Sequence, residues 1–268
     1  MVRSCFRGVP FAWLLMTLAC AAPLMKLPAG PGTPAPDAAD ALSQATAVCR
    51  GIRTLSAEVA ASGKVGGQRF RARLAVGVAA PASARIEAAA PFGSPFFILA
   101  AANDDTTLLL PRDERVLQHG RSADVLDAVA GVPLSAGDLR DVLTGCASVS
   151  HAEGRALGAD WRLLTGASGD AIYLHRDGGN QPWQVVSSVR RAWRADYADP
   201  LNGMPRTMRI TSAAGAAAAA AFDLTLALSQ VETNVALGAE VFRVDIPRGA
   251  QPITLDELRH ARPGVREN

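Results

Sequence analysis

Cys20 is the residue in this chain whose neighbours specify a reaction. Leu18 and Ala19 stand directly before it, and further upstream lie Arg3 and Arg7 with no acid, then an apolar run from Phe11 to Ala19. A basic start, a short apolar core and a small-residue cleavage site, in that order, make a secretory signal. The run is about ten residues long, half of what a helix needs to cross a bilayer. A cysteine at the first mature position, behind Leu and a small residue, sets a lipoprotein signal apart. Its thiol can take a diacylglyceryl thioether, and its freed amine a further acyl chain. Two or three chains anchor stably, since each buried methylene contributes about 0.8 kcal/mol and one chain alone is marginal. The reading is a signal peptide over 1–19 and a membrane-anchored chain lipidated on Cys20; the plainer alternative is a secreted protein with a chance cysteine.

Of the four cysteines, Cys5 would leave with the signal and Cys20 would carry lipid. Cys49 and Cys146 remain for the folded part. In an oxidising compartment they can pair, and closing a loop of about a hundred residues stabilises a fold by about 4 to 5 kcal/mol in the chain-entropy model. The alternative is two separate buried thiols. Catalysis has little to work with: His-Glu-x-x-His, Gly-x-Ser-x-Gly and phosphate-cradling glycine loops do not occur. His119, His151, His175 and His260 are scattered, and Cys146 with His151 is too few ligands for a metal. The expectation is a non-enzyme with no cofactor and no metal. The 27 basic residues include Arg3 and Arg7, so the mature chain is close to neutral against 25 acids, and no basic patch with interleaved aromatics points to nucleic acid.

The elements that would position these residues begin after an Ala/Pro/Gly-rich stretch, 20–39, read as a flexible tether. Residues 40–53 read as a helix, with Asp40 as a cap and Leu42, Ala45, Cys49 and Ile52 at helical spacing. The period then becomes two. Phe70, Ala72, Leu74 and Val76 alternate with Arg69, Arg71, Arg73 and Ala75, with Gly66-Gly67 as a hairpin turn before them. Further strands are predicted near 84–88, 95–102, 106–111 and 114–119. A helical interlude follows at 122–145, where Ser122 can cap a first helix. Ser135 and Asp138 cap a second, Leu134 and Leu139 flank that cap, and Gly145 ends it. Strands resume near 148–156, 160–166, 170–177, 183–196, 205–213 and 219–229, with the alanine tract 216–221 read as strand and a last strand at 241–246. Trp161, Trp183 and Trp193 are read as packing residues on strands. Thr254 and Glu257 form a capping box for a C-terminal helix. The predicted fold is mainly β: a curved antiparallel sheet or half-open barrel of about ten or eleven strands, with short helices over its concave face, in one domain spanning 40–268.

This order of parts resembles the Lol lipoprotein-carrier superfamily, which includes the periplasmic carrier LolA and the outer-membrane receptor LolB, and is nearest to the receptor. The likeness covers most of residues 40–250. It is carried by Ala90-Pro91-Phe92-Gly93-Ser94, the paired strands after it, Gly131-Val132-Pro133-Leu134, and Leu139 to Gly145. The resemblance implies a lipid-binding half-barrel whose dry interior holds acyl chains of lipoproteins or lipids, such as palmitate, and passes them on at the periplasmic face of the outer membrane. It also implies delivery by a periplasmic carrier. Ala21 after the lipidated cysteine, where an acid would favour inner-membrane retention in some bacteria, agrees with the outer membrane. Phe92 matches the receptor's protruding loop and is expected to enter the bilayer interface; the alternative is that it folds back on the sheet.

Alternation selects Phe70, Leu74, Ile86, Phe97, Leu99, Leu108 and Leu110 as one dry face, lining either a cavity or a packed core. A one-residue register error would exchange the set. The dry faces are mostly Ala, Val and Leu, and small side chains fill a curved sheet poorly, which leaves room for a ligand. By resemblance, a basic residue would hold the helices to sheet carbonyls. Neither Arg121 nor Arg140 matches it securely, and the reading for both is a solvated arginine. The competing reading of the whole chain is a lipid-anchored envelope scaffold without a cavity.

Overall fold

The computed structural model describes residues 24–88 and 93–261, so Cys20 and Phe92 lie outside the described residues. In chain order, β1 (Thr33–Pro34), α1 (Ala38–Ala45) and α2 (Ala47–Arg50) come first. A six-strand run follows: β2 (Thr54–Val65), β3 (Gln68–Ala79), β4 (Ser83–Ala88), β5 (Phe97–Ala102), β6 (Asp105–Leu110) and β7 (Arg115–Arg121). Helices α3 (Ser122–Ala130) and α4 (Ala136–Thr144) interrupt the sheet. The second run is β8 (Glu153–Ala156), β9 (Trp161–Thr165), β10 (Ala171–His175), β11 (Gln184–Val189), β12 (Trp193–Ala198), β13 (Thr207–Ser212) and β14 (Phe222–Thr233), and β15 (Gln251–Pro252) and α5 (Leu255–Ala261) end the described chain.

All fifteen described strands join one sheet in the order β1-β8-β9-β10-β11-β12-β13-β14-β2-β3-β4-β5-β6-β7-β15, open rather than closed into a barrel. Two antiparallel meanders are thus seamed where β14 meets β2, from Phe222 opposite Val65 to Leu228 opposite Val59 and beyond. Among the described strands only β15 pairs in parallel, with β7. The period-two pattern explains the main dry side. Leu55, Ala57, Val59 and Ala61 on β2, and Phe222, Leu224, Leu226 and Leu228 on β14, enter one buried cluster with α3 and α4. A smaller cluster under α1 joins Ala35, Ala38 and Ala41 to Leu164, Ile172, Leu174 and Trp183.

Several local expectations are corrected. The tether reading fails for its last residues: Thr33–Pro34 pairs with β8, and Ala35 and Ala38 are buried. Asp37, not Asp40, occupies the cap position of α1, and its carboxylate is taken by Arg162 at 2.8 Å. The 40–53 helix is two helices meeting at Thr46, whose hydroxyl donates to the Leu42 carbonyl, a local bond that competes with helix continuation. The run 183–196 is two strands, with Trp183 just ahead of the first. The alanine tract carries a 3-10 turn at Ala218–Ala220 and is exposed. Alanine offers no polar and apolar contrast, so the alternation of its neighbours did not extend into it.

Residues 241–246 form no strand; they belong to a strap. Asn234 ties the strap's start to residues 51–54 through Gly51, Arg53 and Thr54. The Arg85 guanidinium then donates to the carbonyls of Val241 (3.0 Å) and Arg243 (2.8 Å). The Ala239–Phe242 turn lies on β4 and β5 and buries Phe242. The chain then rounds the β7 edge as β15 and puts α5 on the dry side, where Leu258 is fully buried and α5 meets α3. Thr254 and Glu257 make the expected capping box.

Candidate functional site

The inner wall is a row set by register. Val76, Ile86, Leu99, Leu108 and Leu117 sit directly opposite one another across β3 to β7, and Leu74, Ala88 and Phe97 form the next row. All seven alternation-selected residues fall on this one side. Ile86, Phe97, Leu99, Leu108 and Leu110 are buried, while Phe70 and Leu74 are half-buried at its margin. Val125, Leu126 and Val129 of α3 and Leu139, Val142 and Leu143 of α4 share the cluster. The wall is therefore covered by two short helices whose contact with it is apolar and non-directional.

At their ends these helices are fixed by polar contacts. Ser135 accepts from the Asp138 amide at 3.0 Å while the Asp138 carboxylate accepts from the Ser135 amide at 3.0 Å, the capping box read from the sequence. Gly145 ends α4 at φ 69°, a left-handed conformation that suits glycine. Ser122 is not the cap of α3. The cap position is Arg121, and the Ser122 hydroxyl donates to Asp104 at 2.6 Å and accepts from the Ala136 amide at 3.1 Å. Ser122 thus bridges the β5–β6 turn to the start of α4, a long-range role that no local pattern encodes.

Arg121 is exposed and pairs with Asp124 at 2.7 Å. Arg140 departs from the solvated reading: its side chain is 16% exposed and donates to the Ile52 carbonyl at 3.0 Å, just ahead of β2. One basic residue of α4 is therefore tied to backbone beside the first long strand. Two residues past α4, Cys146 is joined by a disulfide to Cys49 of α2, with Cα atoms 5.3 Å apart. Beside Arg140, burial lifts the Asp141 carboxyl to about 6, against the opposing pull of Arg140 and Arg190. The Arg140 to Asp141 contact, 3.4 Å long, does not offset the lost hydration. Burial also holds the Tyr197 phenol well above its usual range.

A second polar assembly holds the N-terminal segment and was not legible in advance. The Trp183 ring lies under two guanidinium groups, Arg162 at 4.8 Å and Arg176 at 4.5 Å. Arg162 also binds Asp37, whose carboxyl it holds below the usual range. Beside this brace, a cleft of about 460 Å³ is lined by Pro34, Ala35, Ala38, Glu153, Arg155 and Leu164, among others. Among the described residues, no group of His, Cys, Asp and Glu is arranged to hold a metal, and no helix is long and apolar enough to cross a membrane.

No protein-family model and no curated sequence matches the chain. Solved structures do match. A DUF1329 family protein from Desulfovibrio piger is 12% identical, with a TM-score of 0.50 over 78% of this chain and 98% of that one. A LolA superfamily protein from Nitrosomonas europaea is 14% identical, with a TM-score of 0.50 over 77% and 97%. A putative outer membrane lipoprotein-sorting protein domain from Vibrio parahaemolyticus is 12% identical over 75% and 94%, at a TM-score of 0.47. The chain thus has, over nearly the whole length of a LolA superfamily protein, that protein's fold: an open sheet with short helices on its dry side.

Proposed function

We propose that the chain is a lipid-anchored envelope protein, lipidated on Cys20, that takes acyl chains of lipoproteins or lipids into its dry interior and hands them on at the periplasmic face of the outer membrane. The observation that carries this reading is the asymmetry of the site. The Val76 to Leu117 row is covered by helices that meet it through apolar contact, while the polar ties are few: the Ser135 box at the start of α4, Arg140 at its middle and the Cys49–Cys146 link just past its end. Helices attached this way can shift on the wall without breaking sheet pairing, and an alkyl chain can replace their side chains against Leu99 and Leu108. Fold likeness to a LolA superfamily protein supports the reading. A periplasmic carrier would deliver the cargo, and Phe92 would enter the bilayer interface during hand-off.

The alternative is a lipid-anchored scaffold whose helices never leave the wall. Native mass spectrometry of the chain from residue 20 onward, carrying Cys20→Ala so that no anchor contributes, separates the two. A co-purified fatty acyl species, or uptake of added palmitate at one equivalent, is the expected result; a clean unliganded mass in both cases would leave the scaffold.

A further inference from the structure

The outer side of β3 carries charge for which acyl carriage has no use. Arg69, Arg71 and Arg73 lie on the exposed face, and Lys64 sits opposite Arg69 on β2. Alternate residues on a strand are about 7 Å apart, so the three guanidinium groups form an evenly spaced row. Among the described residues the side chains of the three arginines make no hydrogen bond or ion pair. Of the acids near by register, Asp223, opposite Lys64, is bound by Arg209 and Glu87 by Arg85, which leaves Glu58, opposite Ala75 and diagonal to Arg73, as one carboxylate against four cations. An unpaired like-charge row is unfavourable in an isolated protein and becomes favourable only against an anion.

The row has a particular place in the fold. β4 pairs with β3 only from Leu74 to Ala79, so Gln68–Arg73 has β2 on one side and, among the described residues, no strand on the other. Phe70, at the margin of the dry wall, lies on the opposite face of this same stretch, with Leu74 next along it. Toward the same end of the sheet, Phe96 is 42% exposed with the Arg112 guanidinium 4.3 Å from its ring centre.

We propose that Lys64, Arg69, Arg71 and Arg73 form a docking face for the anionic headgroups of a phospholipid bilayer, which sets the open margin of the wall at the membrane surface. A bilayer is favoured over an acidic protein by the exposed aromatic, Phe96, toward the same end of the sheet as the basic set. Arginine with an exposed aromatic is the pairing that suits a headgroup layer, where charge meets phosphate and a ring meets the acyl boundary. The proposal does not depend on acyl carriage, since a scaffold could dock in the same way.

The test is sedimentation of the chain from residue 20 onward, carrying Cys20→Ala, with vesicles of phosphatidylcholine alone or mixed with phosphatidylglycerol. The expected result is retention on the mixed vesicles, loss of it near 1 M salt where screening reaches about 3 Å, and weak retention on the neutral ones. At moderate salt, Arg69→Gln, Arg71→Gln and Arg73→Gln together should weaken retention about 100-fold, from about fivefold per basic residue at an anionic surface. Removing as much charge at the exposed Lys26, Arg243 and Arg248 should change it little. Equal retention of the two triple variants, equal retention on both vesicle types, or no retention at all would each overturn the proposal. Far-ultraviolet circular dichroism of the variants guards against misfolding. Acyl uptake measured on the same samples keeps the two questions apart.

Discussion

Replacing Cys49 and Cys146 together by alanine tests what holds the helical cover in register. The two cysteines are 97 residues apart in sequence, and that loop contains β2 to β7 and both covering helices. In the chain-entropy treatment, releasing a closed loop of that size adds unfolded-state entropy that costs about 4.7 kcal/mol at 25 °C. Both sulfurs are buried, Cys49 at 2% and Cys146 at 9% exposure, so alanine also leaves small voids that add to the loss. With a urea dependence of about 2 to 3 kcal/mol per molar for a domain of this size, the midpoint should fall by about 2 M. The assay is urea unfolding followed by tryptophan fluorescence, run on the oxidised chain, the chain reduced with a thiol, and the double variant. Reduction changes no side-chain volume, so the reduced chain reports the loop effect alone. A double variant within about 1 kcal/mol of the oxidised chain, or two reactive thiols in the denatured, unreduced mature chain, would refute the reasoning.

Asp141 gives a pH signature. Its carboxyl is lifted by burial to about 6, so between about pH 4 and 6 the folded chain holds a proton that the unfolded chain has released, and stability falls as pH rises through that window. Asp141→Asn should remove the fall and stabilise the chain at pH 7 by up to about 3 kcal/mol; parallel stability curves for the two proteins would contradict this. Arg140→Ala should lose a charge-assisted bond to the Ile52 carbonyl, worth about 2 kcal/mol, and hydrogen exchange should show earlier opening of α4 than of β2. Gly63, at φ 150° within β2, has the Asp223 carbonyl where a Cβ would stand, so Gly63→Ala should destabilise by at least about 2 kcal/mol, read as a drop in Tm. Phe92→Glu should block lipoprotein delivery to membranes while leaving urea stability unchanged; unaltered delivery would count against the loop model.

The sheet was legible because it is patterned one residue at a time. Arg69 to Val76 alternate in the sequence and alternate between outside and inside in the structure, and the same holds from Phe222 to Leu228. The helix starts at Ser135 and Thr254 were legible for a similar reason, since a capping box spans only four residues. What escaped was long-range. Thr33–Pro34 has no strand-like pattern and becomes a strand because β8 offers an edge. Phe242, Val244 and Ile246 alternate with Arg243 and Asp245 like a strand, yet the carbonyls of Val241 and Arg243 go to Arg85, 156 and 158 residues away, and the segment becomes a strap. Arg140 looked like an ordinary surface arginine because its partner is a backbone carbonyl 88 residues away. Side chains that bond locally leave a trace in spacing, whereas those that bond across the fold leave none.

Inner-wall occupancy by alkyl chains is tested most directly by photo-crosslinking from single positions in β3. A benzophenone amino acid at Phe70 or Leu74, half-buried on the dry side, or at Arg71 or Arg73, exposed on the other, samples the two faces of one strand. Irradiation with a palmitoylated lipoprotein should give acyl-chain adducts at Phe70 and Leu74 and none at Arg71 and Arg73. Adducts of equal yield on both faces, or none on the inner one, would contradict an interior that receives acyl chains.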